Sequence, residues 1–280
     1  MDKIIFGPAG KPKEYKGKAY EACGYLNERR LFAYEYQSTH GLRIKEESAS
    51  KLKENSHKNK VLVSMHCPYY INMCSKEDEK IDKSIESLFN CARIGEYMGA
   101  YRLVFHPGYY SKQDPKLCLE KAMTGYKKLL NKCEDEGLEN YTFAPETTGK
   151  INQLGNLDEI IYMCENLEHF EPTIDFAHLH ARSFGTLNKK EDYNKIFTKL
   201  ENHLNIERLH CHFTTIEYTK NGERKHHTLE ENDEYGPNIK DLLENLIECG
   251  WNATIICETP LLDIDAIRMR ETYEELLKNI

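Results

Sequence analysis

The chain is predicted to fold as a (β/α)8 barrel, and three observations carry that expectation. Eight short runs rich in β-branched and aromatic residues recur along its 280 residues. Segments with helical spacing of apolar residues and many Lys and Glu separate them. The glycine-rich phosphate loop of an open doubly wound sheet is missing after the first run, where Gly7, Pro8, Ala9 and Gly10 stand instead. Successive parallel strands need a crossover that brings the chain back to the same end, and alternating helices supply it. At 40% hydrophobic content, residues 1–280 are expected to form a single barrel domain.

The elements follow in order. Lys3 to Gly7 is the first run, too short to be a signal-peptide core. Leu31 to Tyr36 is the second, and Ser38 to Ser50 after it reads as a long loop. Val61 to His66 precedes a helical pattern from Ile81 to Met98, and Tyr101 to His106 precedes another from Leu117 to Cys133. Tyr141 to Glu146 is followed by a helix over Leu157 to Leu167, and then come Glu171 to Phe176 and Arg208 to Phe213. Thr214 to Pro237 reads as a second long loop, of the kind that is often functional in a barrel. A helix over Ile239 to Cys249 and the run Ala253 to Thr259 complete the pattern.

No run of about 18 apolar residues exists. A soluble, cytoplasmic, monomeric protein is expected. The ten cysteines form no Cys-x-x-Cys pair, which fits reduced thiols, with Cys211 and Cys257 inside apolar runs as core packing. The net charge of −8 argues against a general basic coat for nucleic acid. Several divalent cations in one cleft would reverse the field there whatever the rest of the surface carries.

The ionisable residues fall in a telling place. His66, His106, Glu146, Asp175, His212 and Glu258 each stand at or near the C-terminal end of a different run, from the third to the eighth. A barrel turns those ends into one mouth. One His or Glu alone would be an ordinary hydrogen-bonded or solvated residue. Several carboxylates buried together need cations, and mixed His and carboxylate ligation suits zinc or manganese.

The local contexts add a resemblance that spans nearly the whole chain. His66 followed by Tyr69, Tyr70, Ile71 and Asn72, then His106-Pro107-Gly108, Glu146-Thr147-Thr148-Gly149 and Asp175-Phe176-Ala177-His178 come in order. His210-Cys211-His212, His226-His227 and Cys257-Glu258-Thr259 follow. In order and spacing these resemble the endonuclease IV family of apurinic/apyrimidinic endonucleases, within the xylose-isomerase-like barrels. The resemblance implies that His66, His106 and Glu146 bind one zinc, and that Glu146 bridges to a second held by Asp175, His212 and Glu258. A third would sit on His178 and His226. It also implies DNA as partner and cleavage of the phosphodiester 5′ to an abasic site in base excision repair, with metals acidifying water, orienting the phosphate and neutralising the leaving oxygen. Tyr69 matches a family residue that inserts into DNA at the lesion, and Tyr70 stands where the family has Leu. Either reading, DNA wedge or ordinary loop aromatic, fits these residues.

Two places depart from the pattern. The family's third site uses an Asp-x-His before the second His of its pair, whereas here Arg224 occupies the Asp position, and a cation cannot be a ligand. Glu223 in a shifted loop, His227 in place of His226, or absence of the third metal would each accommodate this. Arg224 and Lys225 would then either stabilise charge on a bound phosphate or form a solvated turn after Asn221-Gly222. In the second loop, Gln37 to Arg43, His40 or Arg43 stands for the family's DNA-penetrating Arg. Beyond Asp175, His180 and Arg182 replace a run of small residues. Two rival functions remain open: a sugar isomerase or epimerase with one metal on Glu146, Asp175, His212 and Glu258, and a relative that binds damaged DNA without cutting it.

Overall fold

The computed structural model describes residues 3–231 and 234–278. Eight parallel strands follow one another around a barrel: β1 (Ile4–Pro8), β2 (Ala33–Gln37), β3 (Leu62–His66), β4 (Leu103–Phe105), β5 (Phe143–Pro145), β6 (Thr173–Asp175), β7 (Leu209–Phe213) and β8 (Ala253–Cys257). Strands β2 to β5 form one four-stranded sheet, and β6, β7, β8 and β1 form the other. At the two seams the ladder thins to isolated parallel bridges, Ala9 to Glu35 on one side and Glu146 to Thr173 on the other. Every predicted run overlaps one of these strands, most of them trimmed at an end, while Ile4–Pro8 and Ala33–Gln37 each run one residue past the expected end. Tyr101 to His106, for example, narrows to Leu103–Phe105.

Helices return the chain between strands. Those expected appear as Asp78–Met98, Pro115–Asp135, Leu157–Asn166 and Ile239–Glu248. Their starts are chemically marked: Asp114 accepts from the Leu117 amide ahead of Pro115, and Asn156 and Glu159 form a reciprocal capping box. The expected loop from Ser38 to Ser50 is shorter than read, since the helix Glu46–Asn59 begins inside it with two acids in its first turn. The expected loop from Thr214 to Pro237 holds an antiparallel hairpin, Thr215–Thr219 with Gly222–His227. Its charged, exposed residues hide the alternation that would have betrayed it.

Alternate strand residues face opposite ways. Outward-facing Ile4, Phe6, Tyr34, Val63, Met65 and Phe105 join the helices in the main core. Inside the barrel the lining changes character along the strands. Ile5 and Ala33 pack with Ile256 in a small apolar cluster. Glu35, Ser64 and His210 come next, and His66, Glu146, Asp175 and His212 lie at or near the C-terminal ends, all buried. The ten cysteines are free thiols, with Cys211 and Cys257 buried. No helix among the described residues is long and apolar enough to cross a membrane.

Candidate metal centre

The C-terminal strand ends bring His66, His106, Glu146, Asp175, His212 and Glu258 together, as barrel geometry dictates. Glu146, just past β5, lies at the middle. His66 Nε2 stands 3.2 Å and His106 Nε2 3.0 Å from one of its carboxylate oxygens, Oε2. The other oxygen, Oε1, lies 3.1 Å from His212 Nδ1, which is itself 3.3 Å from Glu258 Oε1. Asp175 completes that second group, in register with His212 across β6 and β7. A third group is formed by His178, Glu223 and His226.

Hydrogen bonds to backbone carbonyls fix which nitrogen of three of the rings carries the proton. His66 Nδ1 donates to the Cys67 carbonyl at 2.8 Å, and His178 Nδ1 donates to the Thr147 carbonyl at 2.8 Å. His226 Nδ1 donates to the Glu258 carbonyl at 3.2 Å. A carbonyl can only accept, so each Nδ1 carries the proton and each Nε2 is left as a lone pair facing carboxylate oxygens. This is how metal-binding imidazoles are usually oriented. Asp175 divides its two oxygens: Oδ1 caps the helix Phe176–Arg182 by accepting from the His178 amide at 2.7 Å. Its Oδ2 is fully buried with no hydrogen-bond partner among the described residues. A buried carboxylate oxygen without a donor is costly unless a cation takes it, so these residues fit a divalent metal.

Without cations the site must hold protons in their place. Burial, helped by Glu146 and Glu258, pushes the Asp175 carboxyl up to about 6 against the pull of His178. Burial disfavours charge on His178, yet Asp175, Glu223 and Glu146 outweigh it and raise its value well above the usual imidazole range. The same balance, with Glu35, Glu258 and Glu146, raises His212. Burial also opposes ionisation of Glu146, but His212 and His106 keep its carboxyl well below the usual range.

The third group resolves the departure at Arg224. Across the hairpin Glu217 pairs with Lys225 but Tyr218 pairs with Glu223. Arg224 is therefore the extra residue of a β-bulge. In a regular strand residues three apart point to opposite faces; one bulged residue puts Glu223 and His226 on the same face. Glu223 Oε2 comes within 3.5 Å of His178 Nε2, and Oε1 within 3.8 Å of His226 Nε2. His227 turns elsewhere, donating from Nδ1 to Glu231 at 2.8 Å and stacking on Tyr235. Arg224 is exposed and ion-paired with Glu217, and Lys225 is exposed. Neither belongs to the donor set. Gly149 makes the fit possible, since a Cβ there would stand 2.7 Å from Glu223 Cβ and 2.9 Å from His178 Cδ2.

Around the mouth, the Tyr69 ring lies 5.3 Å from that of His66 and 5.6 Å from that of His106, and it is 43% exposed. Tyr70 is more exposed and turns away, its hydroxyl 3.4 Å from Ser87 on the helix Asp78–Met98. From the second loop, His40 brings its ring to 6.3 Å from Tyr69. Arg182 instead reaches inward to the Thr148, Lys150 and Gln153 carbonyls, bracing the loop after β5. One charged residue of the interior was missed from sequence: Glu35, fully buried beside His210 and His212. A lone acid in the apolar run Leu31 to Tyr36 was the available signal.

Eight parallel strands, in two sheets joined by isolated bridges, carry clustered His and carboxylate donors at their C-terminal ends and define a barrel protein whose mouth could hold metal ions. Residues 29–278 match the family described as xylose isomerase-like TIM barrel, and the chain belongs to that family. It is 37% identical over 276 residues to an uncharacterized protein of Methanocaldococcus jannaschii, covering 98% of each chain. It is 23% identical over 240 residues to a probable endonuclease 4 of Clostridium botulinum, covering 84% of this chain and 83% of that one. The solved endonuclease IV of Thermus thermophilus superposes with a TM-score of 0.71 at 16% identity, over 100% of both chains. Sugar epimerases also share the fold.

Proposed function

We propose that this chain is a metal-dependent phosphodiester hydrolase that cleaves DNA 5′ to abasic sites, with zinc as the resident metal. The observation that carries this reading is the third donor group, His178, Glu223 and His226, beside the two that share Glu146. The one-metal isomerase reading would use only one of these groups; adjacent multiple sites suit a phosphodiester, whose attacking and leaving oxygens both need charge stabilisation. Divalent ions there would acidify water, orient the phosphate and neutralise the departing oxygen. In this reading Glu146 sets the spacing of the first two sites, and the outer hydrogen bonds of His66, His178 and His226 hold their rings. Asp175 couples its site to the start of the helix that supplies His178. Tyr69, over His66 and His106, would fill the gap left by a missing base.

The second reading, a one-metal isomerase or epimerase, is favoured by one fact: Glu146, Asp175, His212 and Glu258 form a complete set on their own. Zinc-loaded protein is expected to nick a duplex with one abasic analogue, spare an intact duplex, and hold more than one ion per chain. Glu146→Gln should lower nicking by at least ~100-fold, since loss of even an outer partner of a metal ligand commonly costs 10–100-fold. A single bound ion with no nicking favours the isomerase. Tight binding of the abasic duplex without nicking would make the chain a lesion-binding relative.

A further inference from the structure

Beneath the metal centre lies a buried ionisable group that the proposed chemistry does not use. Glu35 on β2 has no exposure, and neither have His210 and His212 on β7. A carboxylate in a barrel interior is expensive, and an apolar side chain would commonly serve stability as well or better. Its partners show what it holds. Glu35 Oε2 accepts from Ser64 Oγ at 2.9 Å, from His210 Nε2 at 3.1 Å and from His212 Nε2 at 3.2 Å. Oε1 accepts from Gln37 Nε2 at 3.2 Å and lies 3.1 Å from His212 Nε2.

The tautomers follow from the donors. An ionised carboxylate can only accept, so Nε2 of both histidines carries a proton. On His210 that leaves Nδ1 to accept from the Tyr101 hydroxyl at 2.6 Å. On His212 it leaves Nδ1, the atom turned to Glu146 and Glu258, free to offer a lone pair. A chain of hydrogen bonds thus runs from Tyr101 through His210 and Glu35 to the far side of His212.

We propose that Glu35, held by His210 and Tyr101, is a positioning residue that fixes the ring and tautomer of His212 and so sets the metal affinity of the Asp175, His212 and Glu258 site. The inference rests on the metal reading above. Glu35 is not itself a ligand: its two oxygens are occupied by four donors, whereas His212 Nδ1 has only carboxylates before it.

The test is metal binding, read apart from activity. Apoprotein is titrated with zinc against a chromophoric chelator, for the unaltered chain, Glu35→Gln and Tyr101→Phe, with folding followed by circular dichroism. Glu35→Gln should weaken one ion by about 10–100-fold and leave the others unchanged. Tyr101→Phe, which keeps the ring and every buried charge, should weaken the same ion by a smaller factor of about 2–5 and serves if Glu35→Gln fails to fold. Unchanged zinc affinity in a folded Glu35→Gln, or in Tyr101→Phe where Glu35→Gln does not fold, overturns the proposal. So does loss of an ion additional to those at the three donor groups, which would make Glu35 a ligand. An unaltered chain that binds no zinc overturns the metal reading itself, a distinct result.

Discussion

At the scale of single residues, the site depends on space as much as on donors. Gly149 donates no side chain, yet its carbonyl accepts from the Glu223 amide at 3.0 Å and its missing Cβ leaves room for Glu223 and His178. Gly149→Ala should therefore displace the third donor group: overpacking of this kind costs about 1–3 kcal/mol. Elemental analysis after dialysis at low zinc is expected to show one ion fewer per chain, with a lowered melting temperature. Full zinc occupancy would show that the loop yields without moving Glu223. The six positions at the strand ends were legible because a barrel converts strand order into proximity, whatever the side chains do. Glu35 was marked only as a lone acid, because nothing in the run Leu31 to Tyr36 says that His210 and His212, three strands round the barrel, will hydrogen-bond it. The need for Gly149 was equally hidden, since its crowding partner lies in a different loop.

At the scale of elements, the hairpin Thr215–Thr219 with Gly222–His227 decides the third group through its register. Sequence comparison by position puts Arg224 where a ligand belongs, because spacing along the chain assumes a regular strand. The bulge adds one residue and moves the carboxylate back to Glu223. Two consequences separate this account from a shifted or missing site. Arg224→Ala should leave zinc occupancy and affinity within about twofold, since an exposed pair contributes little. Deleting Arg224 outright should also retain the ion, because Glu-x-His on a regular strand again places both side chains on one face. Deleting Lys220 in the turn serves as a control for general damage to the hairpin. Loss of the ion on deletion of Arg224 but not of Lys220 would contradict the bulge. Barrel strands and helices such as Asp78–Met98 and Pro115–Asp135 were legible from their periods; this hairpin was not, because residues exposed on both faces leave no period to read.

At the scale of the whole molecule, an acidic chain gathers several carboxylates at the strand ends, where burial denies them water. The fold raises the values of Asp175, His66, His178 and His212 and lowers those of His180 and His210, so above the usual imidazole value, where the lowered pair is neutral in both states, the folded metal-free protein binds more protons than the unfolded chain. For Asp175 the stabilising proton is lost as pH rises from the usual value of 3.8 through about 6. For His66, His178 and His212 the contribution is complete below the usual 6.5 and disappears as pH climbs through their raised values. Glu146 and Glu35 are lowered, and their opposite dependence is confined to pH below the usual 4.5, where acid protonates them. As pH rises above the usual imidazole value of 6.5, stability should therefore fall whenever metal is withheld. Metal inverts the slope, because ions bind neutral imidazole and ionised carboxylate and displace the same protons. Thermal melts in a strong chelator are expected to show a melting temperature that declines across this range, and melts in excess zinc one that holds or rises. Parallel slopes with and without zinc would mean that the ions bind elsewhere, and that the charges at the strand ends are balanced within the protein.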